Sequence, residues 1–259
     1  MIVDELADGV QALVSGGEVT DWCVCLRYAY AEIVADGVRY LGVALVPHED
    51  VHGVRPSLRE PSLKRVRDMV SSPNPLDKVL GIALINAVSS HLIRRADLLR
   101  TSSDVAEDVP LLLSSEGIRS VLVVGNMVPL VRKLREAGME VFVTERNPAA
   151  RWGGAYPDTS FTRLAHRVEA AVITGAALAN DTIDFLLEAL GHAFKVLVGP
   201  TAGAYPPLLA PKYVDAVASM LVEDVDAVKR VLRLGGGRWD FGEYCTHYTY
   251  YPGMRVRAR

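Results

Sequence analysis

From Ser120 onward the chain alternates short β-branched runs with amphipathic helical stretches, and this alternation constrains the fold more than any other feature. Val121–Val124, Val141–Thr144, Ala171–Thr174, Val196–Val198 and a run within Val214–Met220 read as strands. Val128–Ala137, Asp181–Leu190 and Asp224–Leu234 read as helices, each stopped by glycine at Gly138, Gly191 or Gly235-Gly236-Gly237. Strands separated by helices pair in parallel, because a parallel pair needs a long crossover. Short, continuously apolar strands also imply a sheet covered on both faces. The expected class is therefore α/β.

The preceding hundred residues follow a different pattern. Val3, Leu6, Val10 and Leu13 recur at helical spacing in residues 1–16, before Gly16-Gly17. Trp22–Tyr30 alternates with period 2 and reads as one strand. Asp36-Gly37 suits a tight hairpin turn, and Val38–Val46 is the return strand, ended by Pro47. Residues 47–62 read as a loop, Leu63–Val70 as a short helix, and Leu76–Leu99 as a long helix too apolar around Gly81–Ala87 for a surface. This gives a smaller α+β domain at 1–100, an antiparallel meander plus helices. A polar Ser/Asp-rich linker at 101–117 follows, then the α/β domain at 118–259.

Composition narrows the function classes. Half of the 259 residues are hydrophobic, enough for a core and against long disorder. A net charge of −3 argues against nucleic acid as the partner, which needs a clustered cationic surface. With no cationic leader and no run near the ~20 apolar residues of a bilayer span, no membrane is expected and the location expected is cytoplasmic. Cys23, Cys25 and Cys245 are too few for a disulfide framework and read as buried small side chains.

In open α/β sheets, ligands bind beyond the carboxyl ends of the strands. Those ends are Gly125-Asn126, Glu145-Arg146, Thr174-Gly175 and Gly199-Pro200-Thr201, with Asn180 close behind the third. A dinucleotide site would need further glycines. Here Gly125 stands alone, although Glu145 lies 20 residues on, where an acid could hold a ribose. There is no phosphate-loop signature and no Gly-x-Ser-x-Gly elbow. His48-Glu49-Asp50-Val51-His52 concentrates imidazoles and carboxylates, and His48, Glu49 and His52 are the candidate ligands for a transition metal such as Ni, Co, Zn or Fe. A solvated surface loop is the competing reading. The Arg146–Asp158 loop, with Arg151, Trp152 and paired glycines, suits a lid or binding loop.

Val121–Gly125, Val143–Pro148, Tyr156-Pro157-Asp158, Val172–Gly175, Asn180–Ile183 and Val198–Thr201 occur in an order that resembles a family of unknown function described as heavy-metal chelating. Gly42–Leu45 and the Asn74–Ala87 segment resemble that family's N-terminal partner. The resemblance implies an enolase N-terminal-like first domain, a Rossmann-like second domain and a cleft between them. It also implies a role in handling heavy metals, near metal-cofactor pathways. Glu145, Thr174, Gly175, Asn180, Gly199, Pro200 and Thr201 match family segments, whereas Thr201-Ala202-Gly203-Ala204 departs from the Ser-Thr-Pro often found after Gly-Pro. The resulting expectation is a protein binding a metal, or a metal complex, in the interdomain cleft. The alternative is an enzyme acting on a small nucleotide-like or phosphorylated substrate at the sheet's carboxyl edge. A third is an assembly subunit, a homodimer joined through its Tyr-rich C-terminal strand.

Overall fold

The computed structural model describes residues 1–14, 16–57, 59–98, 101–102 and 105–252. Helix α1 (Ile2–Leu13) buries the predicted stripe of Val3, Leu6 and Val10. A three-stranded antiparallel sheet follows, β1 (Glu18–Val24), β2 (Tyr28–Ala35) and β3 (Val38–Leu45). The β2–β3 turn is Asp36-Gly37, with φ of 51° and 74°. The single strand expected over Trp22–Tyr30 is instead two, folded back at Cys25–Arg27 so that Val24 faces Ala29 and Cys23 faces Tyr30. The turn carries no Gly, Asn or Pro, and the apolar alternation runs on through it, so pattern alone does not reveal it.

The expected loop at 47–62 contains a one-turn helix, α2 (His48–Val51). Helix α3 (Val66–Val70) packs on α4 (Pro75–Arg95), whose N-cap Asn74 accepts from the Leu76 N–H. The helix ends earlier than expected, and Leu99 lies outside the described residues. Helix α4 is long and apolar enough to cross a membrane, yet it is the buried centre of the molecule. The β2–β3 surface lies against one side of it so closely that a Cβ on Gly42 would stand 2.1 Å from the Ala83 carbonyl oxygen.

Strand β4 (Thr101–Ser102) and helix α5 (Val105–Ser115) replace most of the expected linker, of which 103–104 lie outside the described residues. The reason is an apolar stripe. Val109, Leu112 and Leu113 recur at helical spacing and are buried against the second sheet. The remaining elements are β5 (Ser120–Val124), α6 (Val128–Glu136), β6 (Glu140–Glu145), β7 (Tyr156–Pro157), α7 (Phe161–Ala165), β8 (Ala170–Thr174), α8 (Ala176–Ala179) and α9 (Ile183–Ala189). They continue with β9 (Phe194–Val198), α10 (Pro206–Leu209), β10 (Ala216–Val222), α11 (Val225–Arg233), α12 (Arg238–Phe241) and β11 (Cys245–Tyr250).

The second sheet has the order β4-β11-β10-β9-β8-β5-β6-β7, parallel from β10 to β7 and antiparallel at β11 and β4. The protein is thus α/β, as expected. Side chains alternate between two cores. Val121, Val123, Val172 and Val196 face α5 and α6, whereas Leu122, Ile173 and Leu197 face the N-terminal half. This second core runs without a break from Ile2 to Tyr248, so the two halves share one interior. Strand β11 lies between β10 and β4 with Tyr248 fully buried. It is therefore an internal member of the sheet.

Candidate functional site

Strand order reverses beside β5. The chain passes from β5 to β6 and β7 on one side, then crosses to β8, β9 and β10 on the other. Such a reversal opens a crevice at the carboxyl ends. Gly125 ends β5 with φ of 94°, and a Cβ there would stand 2.9 Å from Thr174 Cγ2, so only glycine lets the two strand ends approach. The N-terminal half covers this crevice with Leu45, Val46, Pro47, His48 and Glu49. The result is a cleft of about 680 Å³ built from both halves. Its walls are largely apolar, with Met127, Phe161, Phe185 and Leu186 among them.

Most polar groups at the rim are already committed. Glu145 accepts from the Asn126 N–H and the Asn147 N–H, both at 2.8 Å, one through each carboxylate oxygen. Asn126 in turn donates from Nδ2 to the Ala150 and Trp152 carbonyls at 2.8 and 3.1 Å. Arg151 donates to the Glu145 and Arg146 carbonyls at 2.7 and 2.6 Å. The glycine-containing loop after β6 is therefore tied down at both ends. Arg146 pairs with Asp50 of α2 at 2.6 Å, bridging the halves beside the cleft.

One buried group stands out. Thr144 pairs in register with Val124 on the sheet face that the N-terminal half covers, and it lines the cleft. It is fully buried, and its Oγ1 has no hydrogen-bond partner among the described residues. Leaving a buried hydroxyl unpaired costs about 1–3 kcal/mol. Asn180 accepts from Thr182 at 2.7 Å through its Oδ1 and also lines the cleft.

The cleft gathers eight of the residues expected at a site: Gly125, Asn126, Glu145, Arg146, Thr174 and Asn180 with His48 and Glu49. Five others fall outside its lining. His52 follows α2 in extended conformation and is exposed. Gly175 is a packing position, since a Cβ there would meet the Ala202 amide nitrogen at 2.3 Å. Pro200 is buried, and Thr201 Oγ1 accepts from the Leu45 N–H at 2.9 Å, making it a fastener between halves. Gly199 opens onto a neighbouring pocket. Thr144, Phe161 and Phe185 were not anticipated. A threonine inside a β-branched run and two scattered phenylalanines carry no sequence signal for a site.

The donor set does not suit a bare metal ion. Among the described residues no group of three or more His, Cys, Asp or Glu side chains is placed to hold one. His48 and Glu49 have only Glu145 and Asp158 as acidic company in the cleft, and Glu145 has both oxygens engaged. The cysteines do not compensate. Cys23, Cys25 and Cys245 pack around a third apolar core beside Tyr28 and Tyr30. Burial, aided by the Cys23 thiol, pushes the Cys25 thiol up to about 12, and burial does the same to Cys245.

These features define a two-part α/β protein with a cleft at the topological switch point, roofed by its N-terminal half. Residues 109–250 and 4–89 match two paired family profiles, both described as "Putative heavy-metal chelation". An uncharacterized protein of Methanocaldococcus jannaschii is 32% identical over 258 residues, covering 96% of this chain and 97% of the other. A crystal structure of a Pyrococcus horikoshii protein of unknown function from the DUF364 family superposes with a TM-score of 0.86 at 29% identity, over 97% of this chain and all of that one. A Desulfitobacterium hafniense protein of the same family, also of unknown function, shares the fold at a TM-score of 0.73 and 19% identity, over 96% of this chain and 98% of that one. The chain belongs to this heavy-metal chelation family, DUF364 with its N-terminal partner DUF4213.

Proposed function

We propose that the cleft binds a small organic molecule that carries a metal already chelated, rather than a naked cation. One observation carries this reading: a cleft of about 680 Å³ without three convergent protein ligands among the described residues. That volume falls within the ordinary range for organic ligands, about 300–1,000 Å³. The family description supports the metal, and the apolar walls support the organic shell around it. In this reading Thr144, Asn180 and the strand-end backbone meet the ligand's polar atoms. His48 and Glu49, exposed residues of the cleft lining, complete the metal's coordination in the same reading. His52, outside the lining, takes no part in it.

Calorimetric titration tests this. Ni²⁺, Co²⁺, Zn²⁺ and Fe²⁺ salts are compared with citrate chelates of the same ions and with a cobalt tetrapyrrole. Binding of a chelate, without binding of the bare ions tighter than ~10 μM, is the expected result. Tight binding of a bare ion that His48→Ala abolishes would overturn it.

The position at the switch point favours a second reading, an enzyme for a nucleotide-like or phosphorylated substrate. Glu145 accepts one backbone N–H through each oxygen, which orients the carboxylate and leaves lone pairs for a ribose hydroxyl. Thermal-shift screening separates the two readings, since a ligand at ~100 times its dissociation constant adds about 2.7 kcal/mol.

A further inference from the structure

Beyond the Asn126-Met127 wall of the cleft lies a second cavity, of about 280 Å³, that the proposed function does not use. Two of the chain's three tryptophans line it. Trp152 and Trp239 are 63% and 68% exposed, which is unusual for a residue that normally buries most of its surface. They come from different places, Trp152 from the tied loop after β6 and Trp239 from α12. Arg238 supplies positive charge, its guanidinium 4.7 Å from the centre of the Trp239 ring. Tyr28 adds a buried phenol that remains protonated, pushed up to about 12 by burial. Gly199 completes the wall, and a Cβ there would meet nothing within 4 Å, so the end of β9 faces open space.

We propose that this cavity is a second binding site, for a planar aromatic group bearing a negative charge. Two exposed indoles offer flat apolar surface to a stacked ring, and the guanidinium offers the counter-charge. The volume suits a bicyclic ring whose anionic substituent meets Arg238 in the lining. The site is mechanically joined to the cleft. Asn126 and Met127 line both cavities, and Asn126 holds the Trp152 carbonyl.

Two sources of such a ligand, nucleotides and aromatic acids, are separated by the test. Saturation-transfer NMR and calorimetry are run on the full chain with adenosine 5′-monophosphate and with quinoline-2-carboxylate. Adenosine and quinoline serve as neutral counterparts. At least one anion is expected to bind saturably and more tightly than its neutral counterpart. Trp152→Ala and Trp239→Ala, both at exposed positions, each weaken binding about tenfold. Arg238→Gln removes the preference for the anion. Thr144→Val, in the larger cleft, leaves these titrations unchanged, so failure here is distinct from failure of the chelate reading. Absence of saturable binding by either anion overturns the proposal, as does binding indifferent to both tryptophan substitutions.

Discussion

Asn86, in the middle of α4, donates from Nδ2 to the Thr201 carbonyl oxygen at 3.1 Å, across the boundary between the two halves. The same nitrogen donates to the Val43 carbonyl at 2.9 Å, so one buried amide fastens β3, α4 and the end of β9 together. Asn86→Leu removes both bonds and leaves buried carbonyls with fewer partners. Denaturant unfolding is expected to show a loss of at least about 2 kcal/mol. A loss under 0.5 kcal/mol, within the range of ordinary surface substitutions, would show that the fastener contributes little.

Gly42 answers to the same interface from the sheet side. A methyl group there would collide with the Ala83 carbonyl and with the Ala87 amide nitrogen at 2.2 Å, both backbone atoms that cannot swing aside. Gly42→Ala is expected to cost more than the 1–3 kcal/mol typical of overpacking, and to reduce soluble yield. Circular-dichroism melting checks this, and an unchanged midpoint would refute the close approach.

A charge network predicts the acid limb of stability. Lys229, on α11, pairs with Glu32 of β2 at 2.7 Å and with Asp21 of β1. Burial alone would raise the Glu32 carboxyl, but hydrogen bonds from Arg39, Lys229 and Thr20 outweigh it and hold it below its ordinary 4.5. Asp21 likewise ends below its ordinary 3.8, through Lys229, Tyr30 and Arg233. A lowered carboxyl contributes stability that is full above its ordinary value and lost as pH falls through the lowered one. Lys229 ends above its ordinary 10.5, because the two carboxylates outweigh burial, so its contribution fades only as pH rises beyond that. The melting temperature should therefore hold through neutrality and fall below about pH 4. Glu32→Gln should lower the unfolding free energy by about 3 kcal/mol at pH 7 and flatten the acid limb. Parallel acid limbs in the two proteins would sink this assignment.

Thr144 predicts opposite effects on stability and on binding. Thr144→Val keeps the shape and removes a buried hydroxyl that has no partner among the described residues. The free protein should gain up to about 1 kcal/mol, while any ligand that hydrogen-bonds this hydroxyl should bind about tenfold more weakly. Thr144→Ser should restore binding. Thermal melts with and without the chelates read both effects together. A destabilised free protein would mean that the hydroxyl is satisfied.

The legible parts of the fold were those set by local pattern. The Val121–Val124 and Ala171–Thr174 strands, and helix α11 with its Asp224 cap accepting from the Ala227 N–H at 2.9 Å, all follow from neighbours in sequence. Helix α5 was hidden because Ser and Asp residues mask the stripe of Val109, Leu112 and Leu113. The rim was legible as a set of strand ends. Sequence alone does not say which way each end turns, so Thr201 reads like Thr174 although one is a fastener and the other lines the cleft. Thr144 was illegible for a related reason, since a hydroxyl becomes informative only when its surroundings prove empty of partners.

The burial of α4 on both sides has a consequence for how the protein is made. The helix leaves the ribosome more than a hundred residues before the groups that complete its second side: Asn86 waits for Thr201, and the Ser89 hydroxyl waits for the Tyr205 amide that it accepts from at 2.8 Å. Until then a stretch as apolar as a membrane span has only the three-stranded sheet and α1, α2 and α3 to lie against. The nascent N-terminal half is therefore the stage most in need of shielding, and a chain stopped near residue 100 should aggregate or be captured by chaperones rather than persist as a free domain.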